Sequence, residues 1–375
     1  MDNSHPIYVA SPMLPELSDL TSVLEGIWQS GYVTNHGPLH NQLEQELSNL
    51  LNVPTVRLFN NGTIALLTAL KMFDFPKGSE VITTPFTFAA TAHAISWNEL
   101  VPVFVDVDPV SMTLDPKSVE RAVTDKTVAV LPVHVYGNVC DIEGIDKVAK
   151  KYGLKVIYDA AHAFAVEIDG VPISKFGDAT IFSFHATKLF TTIEGGAIAT
   201  NFEGDAQTIY MLRNFGIKNE NEVVSIGING KLNEIQSAIG LLNLKQFPAE
   251  KKSRALLRAE YDKIFSQIDG VTVQSFSSNV KKSEQYYPLL IDETISPFSR
   301  DDLYEALKRK AIFCRKYFSP ICTEFEPYRH FPVISEASVP TVYTIKDQVL
   351  CLPFHSKVEP GHLHMIKSVV DDFLR

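Results

Sequence analysis

Apolar runs of strand length alternate with helix-length stretches along most of the chain. The runs are almost continuously apolar, which is typical of strands that are buried on both faces of a sheet. A helix is predicted over residues 64–72. The predicted strands cover residues 56–59, 80–84, 102–107, 128–133, 155–159, 179–184 and 197–200. This alternation predicts an α/β fold in which helices cover a mostly parallel sheet.

The pattern changes after Pro248, where a charged stretch replaces the apolar runs. Residues 249–265 predict a helix that leads into a smaller α+β region. The other elements predicted there are strands at residues 286–291 and 348–353, a helix over residues 300–310 and a last helix that begins at Pro360. We therefore expect a large domain over residues 1–248 and a small C-terminal domain over residues 249–375.

Composition narrows the classes of function. The chain has 375 residues, 45% of them hydrophobic, and a net charge of -10 without a Lys/Arg-rich run. This charge argues against nucleic acid or an anionic membrane as a partner, and no apolar run approaches the ~20 residues that span a bilayer. The N-terminus lacks the pattern of a signal peptide, and the four cysteines form no CxxC pair. We expect a cytoplasmic protein with free thiols.

Polar segments follow three of the predicted strands. They are Asn60-Asn61-Gly62-Thr63, Asp159-Ala160-Ala161-His162, and Ser183-Phe184-His185-Ala186-Thr187-Lys188. In α/β sheets, ligands bind beyond the carboxyl ends of the strands. The three segments can therefore meet in one crevice.

Two residues of these segments, Asp159 and Lys188, suggest the chemistry of pyridoxal 5'-phosphate (PLP). A lysine forms a Schiff base with the aldehyde of PLP, and a carboxylate pairs with its pyridinium nitrogen. Free lysine has a pKa near ~10.4 and is a poor base at neutral pH, but burial or conversion to an imine lowers that value. A surface lysine and an aspartate that caps a helix are the alternatives. The catalytic interpretation is favoured because Ser183 and Asp159 accompany Lys188.

Gly62 and Thr63 open the helix predicted after the first segment. The N–H groups at a helix N-terminus attract an anion such as phosphate, and glycine allows a close approach. An ordinary capped turn is the alternative. Ser183 could donate a second hydrogen bond to the same phosphate, and Phe88 could either stack on a cofactor ring or belong to the core.

His162 and His185 could each form a hydrogen bond with a cofactor or substrate, although a structural role is the default for either. The spacing of His36 and His40, and of a second pair near the C-terminus, would suit a metal. Neither pair has further ligands nearby, so we expect no metal site. No G-x-G-x-x-G motif follows a strand, which argues against a dinucleotide.

Together these segments resemble the fold-type I, PLP-dependent nucleotide-sugar aminotransferases of the DegT type. The resemblance extends over nearly the whole chain, and its most specific part is residues 183–188 followed by Glu194-Gly195-Gly196. Further matching motifs lie at residues 31–38, 60–63, 84–88, 133–137, 159–162 and 227–236. The resemblance implies that residues 1–248, with the N-terminal segment, form the domain that binds PLP.

The resemblance also implies roles for individual residues. By it, Lys188 is the Schiff-base lysine, and Asp159 is the partner of the pyridine nitrogen. Thr63 and Ser183 bind the phosphate, and Phe88 stacks on the ring.

These enzymes are similar to one another in working as homodimers with shared active sites, and Asn229 resembles the residue that reaches the phosphate of the other subunit. His162 stands where many members have glutamine near the phenolic oxygen of the cofactor. Lys231 stands where many have arginine, and lysine carries the charge without the planar fork. With His185 and Glu194, it is a candidate for contact with the substrate.

The resemblance implies transfer of an amino group from L-glutamate to a nucleotide-linked keto-sugar. Lys188 argues against the dehydratases of the same family, which have histidine at this position. The motifs are most similar to enzymes that aminate C4 of dTDP-4-keto-6-deoxyglucose and give dTDP-4-amino-4,6-dideoxyglucose. Two alternatives stay open: amination of a 3-keto-sugar, and a regulatory or sensory homologue without turnover, against which the intact Lys188 and Asp159 pair argues.

Overall fold

A computed structural model describes residues 6–329 and 339–375 of the chain. Apolar and β-branched residues dominate the strands, because these side chains suit a buried sheet. Along the chain the strands are Ile7–Tyr8 (β1), Thr55–Phe59 (β2), Glu80–Thr83 (β3), Val101–Phe104 (β4), Thr127–Val130 (β5), Lys155–Asp159 (β6), Glu167–Ile168 (β7), Val171–Pro172 (β8), Ala179–Ser183 (β9), Gly196–Thr200 (β10), Ile217–Asn219 (β11), Glu222–Val223 (β12), Val271–Val273 (β13), Val280–Lys281 (β14), Tyr287–Ile291 (β15), Ile312–Phe313 (β16) and Val349–Leu352 (β17).

Several helices begin behind a side chain that caps the first turn, as at Asn61, Asp141 and Asn233. Such a side chain accepts an N–H group that the helix itself leaves unpaired. In the described ranges the α-helices are Leu17–Ser30 (α1), Pro38–Leu50 (α2), Gly62–Lys71 (α3), Ala89–Trp97 (α4), Pro116–Ala122 (α5), Ile142–Tyr152 (α6), Glu203–Leu212 (α7), Glu234–Phe265 (α8), Arg300–Arg309 (α9), Pro340–Gln348 (α10) and Pro360–Phe373 (α11).

Seven strands form the central sheet in the order β2-β10-β9-β6-β5-β3-β4. β10 is antiparallel to both of its neighbours, and the other pairings in this sheet are parallel. Neighbouring residues of β9 pack on opposite faces, Phe182 in the apolar cluster that includes α2 and Ile181 in the one that includes α3. The predicted α/β fold with a mostly parallel, covered sheet is confirmed. Several strands end earlier than predicted, where the backbone turns into loops.

One long helix, α8, shows that the helix predicted from residue 249 was placed too late. α8 begins at Glu234, spans 32 residues and contains Pro248 in its interior. Its first half packs on α1 and α2, whereas Leu257 and Tyr261 of its second half lie in a separate C-terminal core. Burial on both sides of the proline outweighs the backbone hydrogen bond that proline removes.

A three-stranded antiparallel sheet, β13-β15-β17, lies in the C-terminal region. α9 and α11 contribute to the apolar core beside it, with Leu289, Leu303 and Ile366 buried there. This core agrees with the expected α+β character of the region, but the division at residue 248 falls within α8 and stays a prediction. Within residues 6–329 and 339–375, no helix is both long enough and apolar enough to cross a membrane.

A buried ion pair closes the outer edge of β2, which is the last strand of the sheet. Glu44 of α2 accepts a hydrogen bond from the N–H of Leu58 at 2.9 Å, and Arg213, just after α7, donates to the C=O of Leu58 at 2.6 Å. The two side chains bond each other at 2.6 Å, and only 8% of Glu44 and 1% of Arg213 is exposed. The pair therefore occupies backbone groups that an open edge would offer to another chain.

The charges around this ion pair shift the pKa values of its members and neighbours. Burial would by itself raise the pKa of Glu44, but Arg213 and His40 hold it well below its usual range. Nδ1 of His36 lies 3.4 Å from Nε2 of His40, and burial together with Arg213 lowers the pKa of His36 to about 3. The two histidines, considered above for their spacing, thus belong to a buried polar network around Glu44.

We expect Arg213→Met to lower the free energy of unfolding by about 1–3 kcal/mol. Buried Glu44 would keep only His40 at 3.2 Å and the partly exposed Arg57 at 3.0 Å as partners, and the C=O of Leu58 would lose its donor. Since the pKa of Glu44 is depressed in the folded state, the deficit should be fully present above pH 4.5 and should narrow as the pH falls below that value. Urea titration followed by circular dichroism measures it. The control is Lys150→Met, which breaks an exposed ion pair with Asp146 at 2.6 Å and should change little. If Arg213→Met and Lys150→Met lost the same free energy of unfolding, the buried ion pair would have no special role in stability.

Candidate active site

The carboxyl ends of β2, β6 and β9 meet at one cavity with a volume of about 270 Å³. It lies where ligands bind in α/β sheets, beyond the strand ends. The three polar segments that the sequence predicted to meet do line it. Their lining residues are Asn61, Gly62, Thr63, Asp159, Ala161, His162, Ser183, His185, Thr187 and Lys188.

Two glycines let the end of β9 and the start of α3 approach each other. A Cβ on Gly62 would lie 2.9 Å from the Cβ of Ser183, and a Cβ on Gly196 would lie 2.7 Å from the backbone of Asn61. Neither distance is tolerated, so both positions require glycine. Asn61 caps α3 by accepting an N–H of the first turn, and the N–H groups of Gly62 and Thr63 have no partner within the helix. The capped turn and the predicted anion site are therefore the same structure.

Lys188 lies in a tight turn after β9, where its N–H donates to the C=O of His185 at 2.8 Å. Burial of the amine lowers the pKa of Lys188 to about 8, against the opposing effect of the Asp159 carboxylate. A larger share of this amine is uncharged near neutral pH than in a free lysine. An uncharged, partly enclosed amine can act as a nucleophile and as a proton acceptor.

Asp159 ends β6 and is buried. Its carboxylate accepts hydrogen bonds from Oγ1 of Thr91 at 2.9 Å and from the N–H of Ala161 at 3.0 Å. Burial raises the pKa of Asp159 above that of an ordinary aspartate, although the two hydrogen bonds and Lys188 act in the opposite direction. A cation beside such a carboxylate would favour its charged form.

His162 is buried at the cavity, and its Nδ1 accepts a hydrogen bond from the N–H of Tyr136 at 3.2 Å. Burial and the charge of Lys188 hold the pKa of His162 well below its usual value, so the ring is neutral. A neutral imidazole that accepts at Nδ1 carries its proton on Nε2. The backbone of Tyr136 therefore makes His162 a hydrogen-bond donor at Nε2.

Phe88 is 63% exposed although it lines the cavity, so the interpretation as a core phenylalanine is wrong. His185 and Glu194 also line the cavity and are exposed. Nε2 of His185 lies 3.5 Å from Oε1 of Glu194. These three side chains leave an aromatic ring and an imidazole–carboxylate pair accessible at the cavity.

The other two predicted residues, Asn229 and Lys231, do not line this cavity. Nζ of Lys231 donates to Oδ1 of Asn229 at 2.8 Å and to Oδ1 of Asn214 at 2.9 Å. For Asn229 the prediction concerns the other subunit, and it stays a prediction. Lys231 has no contact with the cavity of its own chain.

Several residues that line the cavity were not predicted from the sequence, among them Thr91, Tyr286, Tyr317 and Phe318. Thr91, in the first turn of α4, holds the Asp159 carboxylate. The rings of Tyr286 and Phe318 pack against His162 with centroid distances of 4.9 and 5.9 Å. The aromatic residues come from the C-terminal region, and no local motif marks them.

A lysine and a buried carboxylate at strand ends of an α/β sheet are typical of enzymes that use PLP. Residues 17–371 match the DegT/DnrJ/EryC1/StrS aminotransferase family, and the chain belongs to that family. It is therefore an aminotransferase, and membership of the family implies a PLP-dependent reaction on a nucleotide sugar with an amino donor.

Individual relatives agree with this assignment. The chain is 42% identical over 365 residues to a dTDP-4-amino-4,6-dideoxy-D-glucose transaminase of Shigella dysenteriae, covering 97% of this chain and 98% of the relative. A transaminase of the same name from Escherichia coli is 41% identical, with 94% and 95% covered. A crystal structure of DesI in the presence of its TDP-sugar product matches with a TM-score of 0.92 and 34% identity, covering 100% of this chain and 93% of the other. The resemblance stated from the motifs is confirmed.

We expect Asp159→Asn to lower the pKa of Lys188 below its value of about 8, because the carboxylate that favours the ammonium form is lost. The measurement is the rate of acylation of Lys188 in cofactor-free protein across a pH series, followed by peptide mass spectrometry. The control Glu194→Gln removes a second carboxylate from the same cavity. It should leave the pH midpoint of Lys188 acylation unchanged. A midpoint that stays the same or rises in Asp159→Asn would show that Asp159 does not act on the amine.

Proposed function

We propose that this aminotransferase uses PLP to move an amino group from L-glutamate to a dTDP-linked 4-keto-6-deoxysugar. One observation carries the proposal: an amine with a lowered pKa, Lys188, shares a cavity with a buried carboxylate with a raised pKa, Asp159. Two titratable groups in one cavity whose pKa values are shifted in opposite directions are typical of catalytic sites. A regulatory homologue without turnover would have no need of this pair.

The residues present fit both charged ends of PLP. The first turn of α3 and the Ser183 hydroxyl form an anion cradle, which a Cβ on Gly62 would fill. Asp159 suits the protonated ring nitrogen, since a cation favours its charged form. We infer that Gly62, Thr63 and Ser183 hold the phosphate, and that the accessible ring of Phe88 stacks on the cofactor.

When bound, PLP supplies an aldehyde that reacts with amines and a ring that withdraws electrons from the neighbouring carbon. Nζ of Lys188 would hold the cofactor in the absence of L-glutamate. With L-glutamate bound, Nζ of Lys188 would accept the proton from Cα of the donor, and with the keto-sugar bound it would deliver a proton to the carbon of the sugar that gains the amino group. Asp159 would keep the ring nitrogen protonated, and Nε2 of His162 would be available to donate a hydrogen bond to the phenolic oxygen.

The position of amination on the sugar is proposed from the relatives. Two transaminases that are more than 40% identical to this chain carry 4-amino-4,6-dideoxyglucose in their names. This favours C4 over C3 of the sugar. His185 and Glu194, exposed at the cavity, are the candidates from this chain to contact the sugar nucleotide.

We expect the wild-type protein with PLP, L-glutamate and dTDP-4-keto-6-deoxyglucose to form a sugar that carries nitrogen at C4, identified by NMR. Lys188→Ala should keep its circular dichroism spectrum and form no product, because the amine that moves the proton is missing. Borohydride reduction and peptide mapping of the PLP-loaded protein should find the label on Lys188. The control is Lys155→Ala, which loses an exposed lysine paired with Asp178 and should stay active.

Three other outcomes have distinct meanings. Faster amination of a 3-keto isomer would show that the enzyme acts on 3-keto-sugars instead. A label on a different lysine would remove the role assigned to Lys188. Binding of PLP at Lys188 without turnover of any keto-sugar would favour the regulatory alternative.

We further propose that the enzyme is a homodimer with shared active sites. The segment that leads to Asn229 exposes several apolar side chains, namely Val223, Val224, Ile226 and Ile228, with Ile226 89% exposed. Neighbouring apolar residues that face solvent are typical of an interface. We propose that a second copy of this chain packs on this segment and that Asn229 reaches the phosphate of the partner's site, as the resemblance to the family implies.

We expect mixtures of Lys188→Ala and Asn229→Asp to regain activity that neither variant has alone. In a mixed dimer both lesions fall in one site, and the other site combines an intact Lys188 with an intact Asn229. Up to about half of the wild-type activity per mixed dimer should return, by counting sites under two-fold symmetry. The assay is turnover after subunit exchange, with exchange shown independently by mass spectrometry of tagged chains. If exchange occurs and no activity returns, Asn229 acts within its own chain.

A further inference from the structure

One side chain from the C-terminal region holds the turn that carries Lys188. Oε1 of Gln285 accepts a hydrogen bond from the N–H of Leu189 at 2.6 Å, and its Nε2 donates to the C=O of Thr187 at 3.1 Å. Gln285 is 96 residues further along the chain than Leu189 and is only 4% exposed. A single buried amide thus fixes the residues on both sides of Lys188.

We propose that Gln285 is a positioning residue for Lys188, an inference that rests on the proposed function of the cavity. Its two hydrogen bonds bracket Lys188, so they restrict the backbone of that residue and the direction of its side chain. Gln285 itself is not among the residues that line the cavity. Proton transfer depends on such placement, since a displacement of about 1 Å can cost ~10²-fold in rate.

The neighbours of Gln285 hold the turn that carries His162. Oγ of Ser283 donates to the C=O of His162 at 2.9 Å and accepts the N–H of Gln285 at 3.2 Å. The ring of Tyr286 packs edge-on against the His162 ring. Residues 283–286, the clamp segment, therefore fix the turns of two cavity residues at once.

Buried charges tie the clamp segment to α8. Arg258 donates to Oε2 of Glu284 at 2.6 Å and to the C=O of Tyr286 at 3.0 Å. Both members of this ion pair are buried. Loosening the segment would expose or separate this buried ion pair, which is strongly unfavourable. α8 therefore holds Gln285 at a fixed position relative to the lysine turn.

The test uses Gln285→Met, which keeps the length of the side chain and removes both hydrogen bonds. In cofactor-free protein we expect the pKa of Lys188 to rise above about 8, because a loosened turn lets water reach the amine. The readout is acylation of Lys188 across a pH series. With substrates, kcat should fall by ~10²-fold and KM for the keto-sugar should change far less. If Gln285→Met does not fold, Gln285→Asn serves, since its amide is too short to reach both neighbours.

The matched control is Asn98→Leu. The amide of Asn98 also bonds two backbone groups, in this case the carbonyls of Leu67 at 3.1 Å and Ala94 at 2.9 Å, and it lies outside the cavity lining. Its loss should lower the melting temperature without changing the pKa of Lys188. If the Gln285 variant matches this control in both pKa and kcat, Gln285 has only a structural role. If the wild type itself does not transaminate, the proposed function fails, and acylation of the cofactor-free proteins still decides the role of Gln285.

Discussion

Close backbone contact at the carboxyl edge of the sheet is the constraint on which the cavity depends. Gly196 begins β10, the antiparallel strand, and lies opposite Phe59 at the end of β2 and Ser183 at the end of β9. A Cβ on Gly196 would overlap the backbone of Asn61 and Gly62. A larger residue would push the start of α3 away from β9 and open the anion cradle. The separation between the start of α3 and the end of β9 is therefore set by two glycines.

Burial then sets the charge states of the titratable groups in the cavity. It lowers the pKa of Lys188 and raises that of Asp159, so each group is drawn towards its neutral form unless a ligand supplies the opposite charge. At the sheet edge, burial alone would raise the pKa of Glu44 as well, but Arg213, together with His40 and Arg57, lowers it. The two carboxylates differ because Glu44 has a cationic partner within the protein, namely Arg213, in a fixed ion pair. A carboxylate with a built-in cation is structural, whereas one whose cation must arrive with a ligand can serve catalysis.

The parts of the site that are local in sequence could be predicted. Asp159, Ser183 and Lys188 each follow an apolar run, and a parallel sheet brings such ends together. The course of α8 could not be predicted, because Pro248 usually ends a helix and the burial on both of its sides appears only in the folded chain. Thr91 and Gln285 act through contacts with residues distant in sequence, which leave no local pattern. The exposure of Phe88 also could not be predicted, since phenylalanine is mostly buried.

The distance in sequence between Lys188 and the clamp segment has a consequence for synthesis of the protein. All seven strands of the central sheet precede residue 201, so they are synthesised before residues 283–286. Until those residues emerge, the turn that carries Lys188 lacks the amide that brackets it. A chain truncated before residue 283 would lack this amide in the same way. The reactive amine acquires its final placement only when the C-terminal region docks, which makes completion of the chain a condition for a finished site.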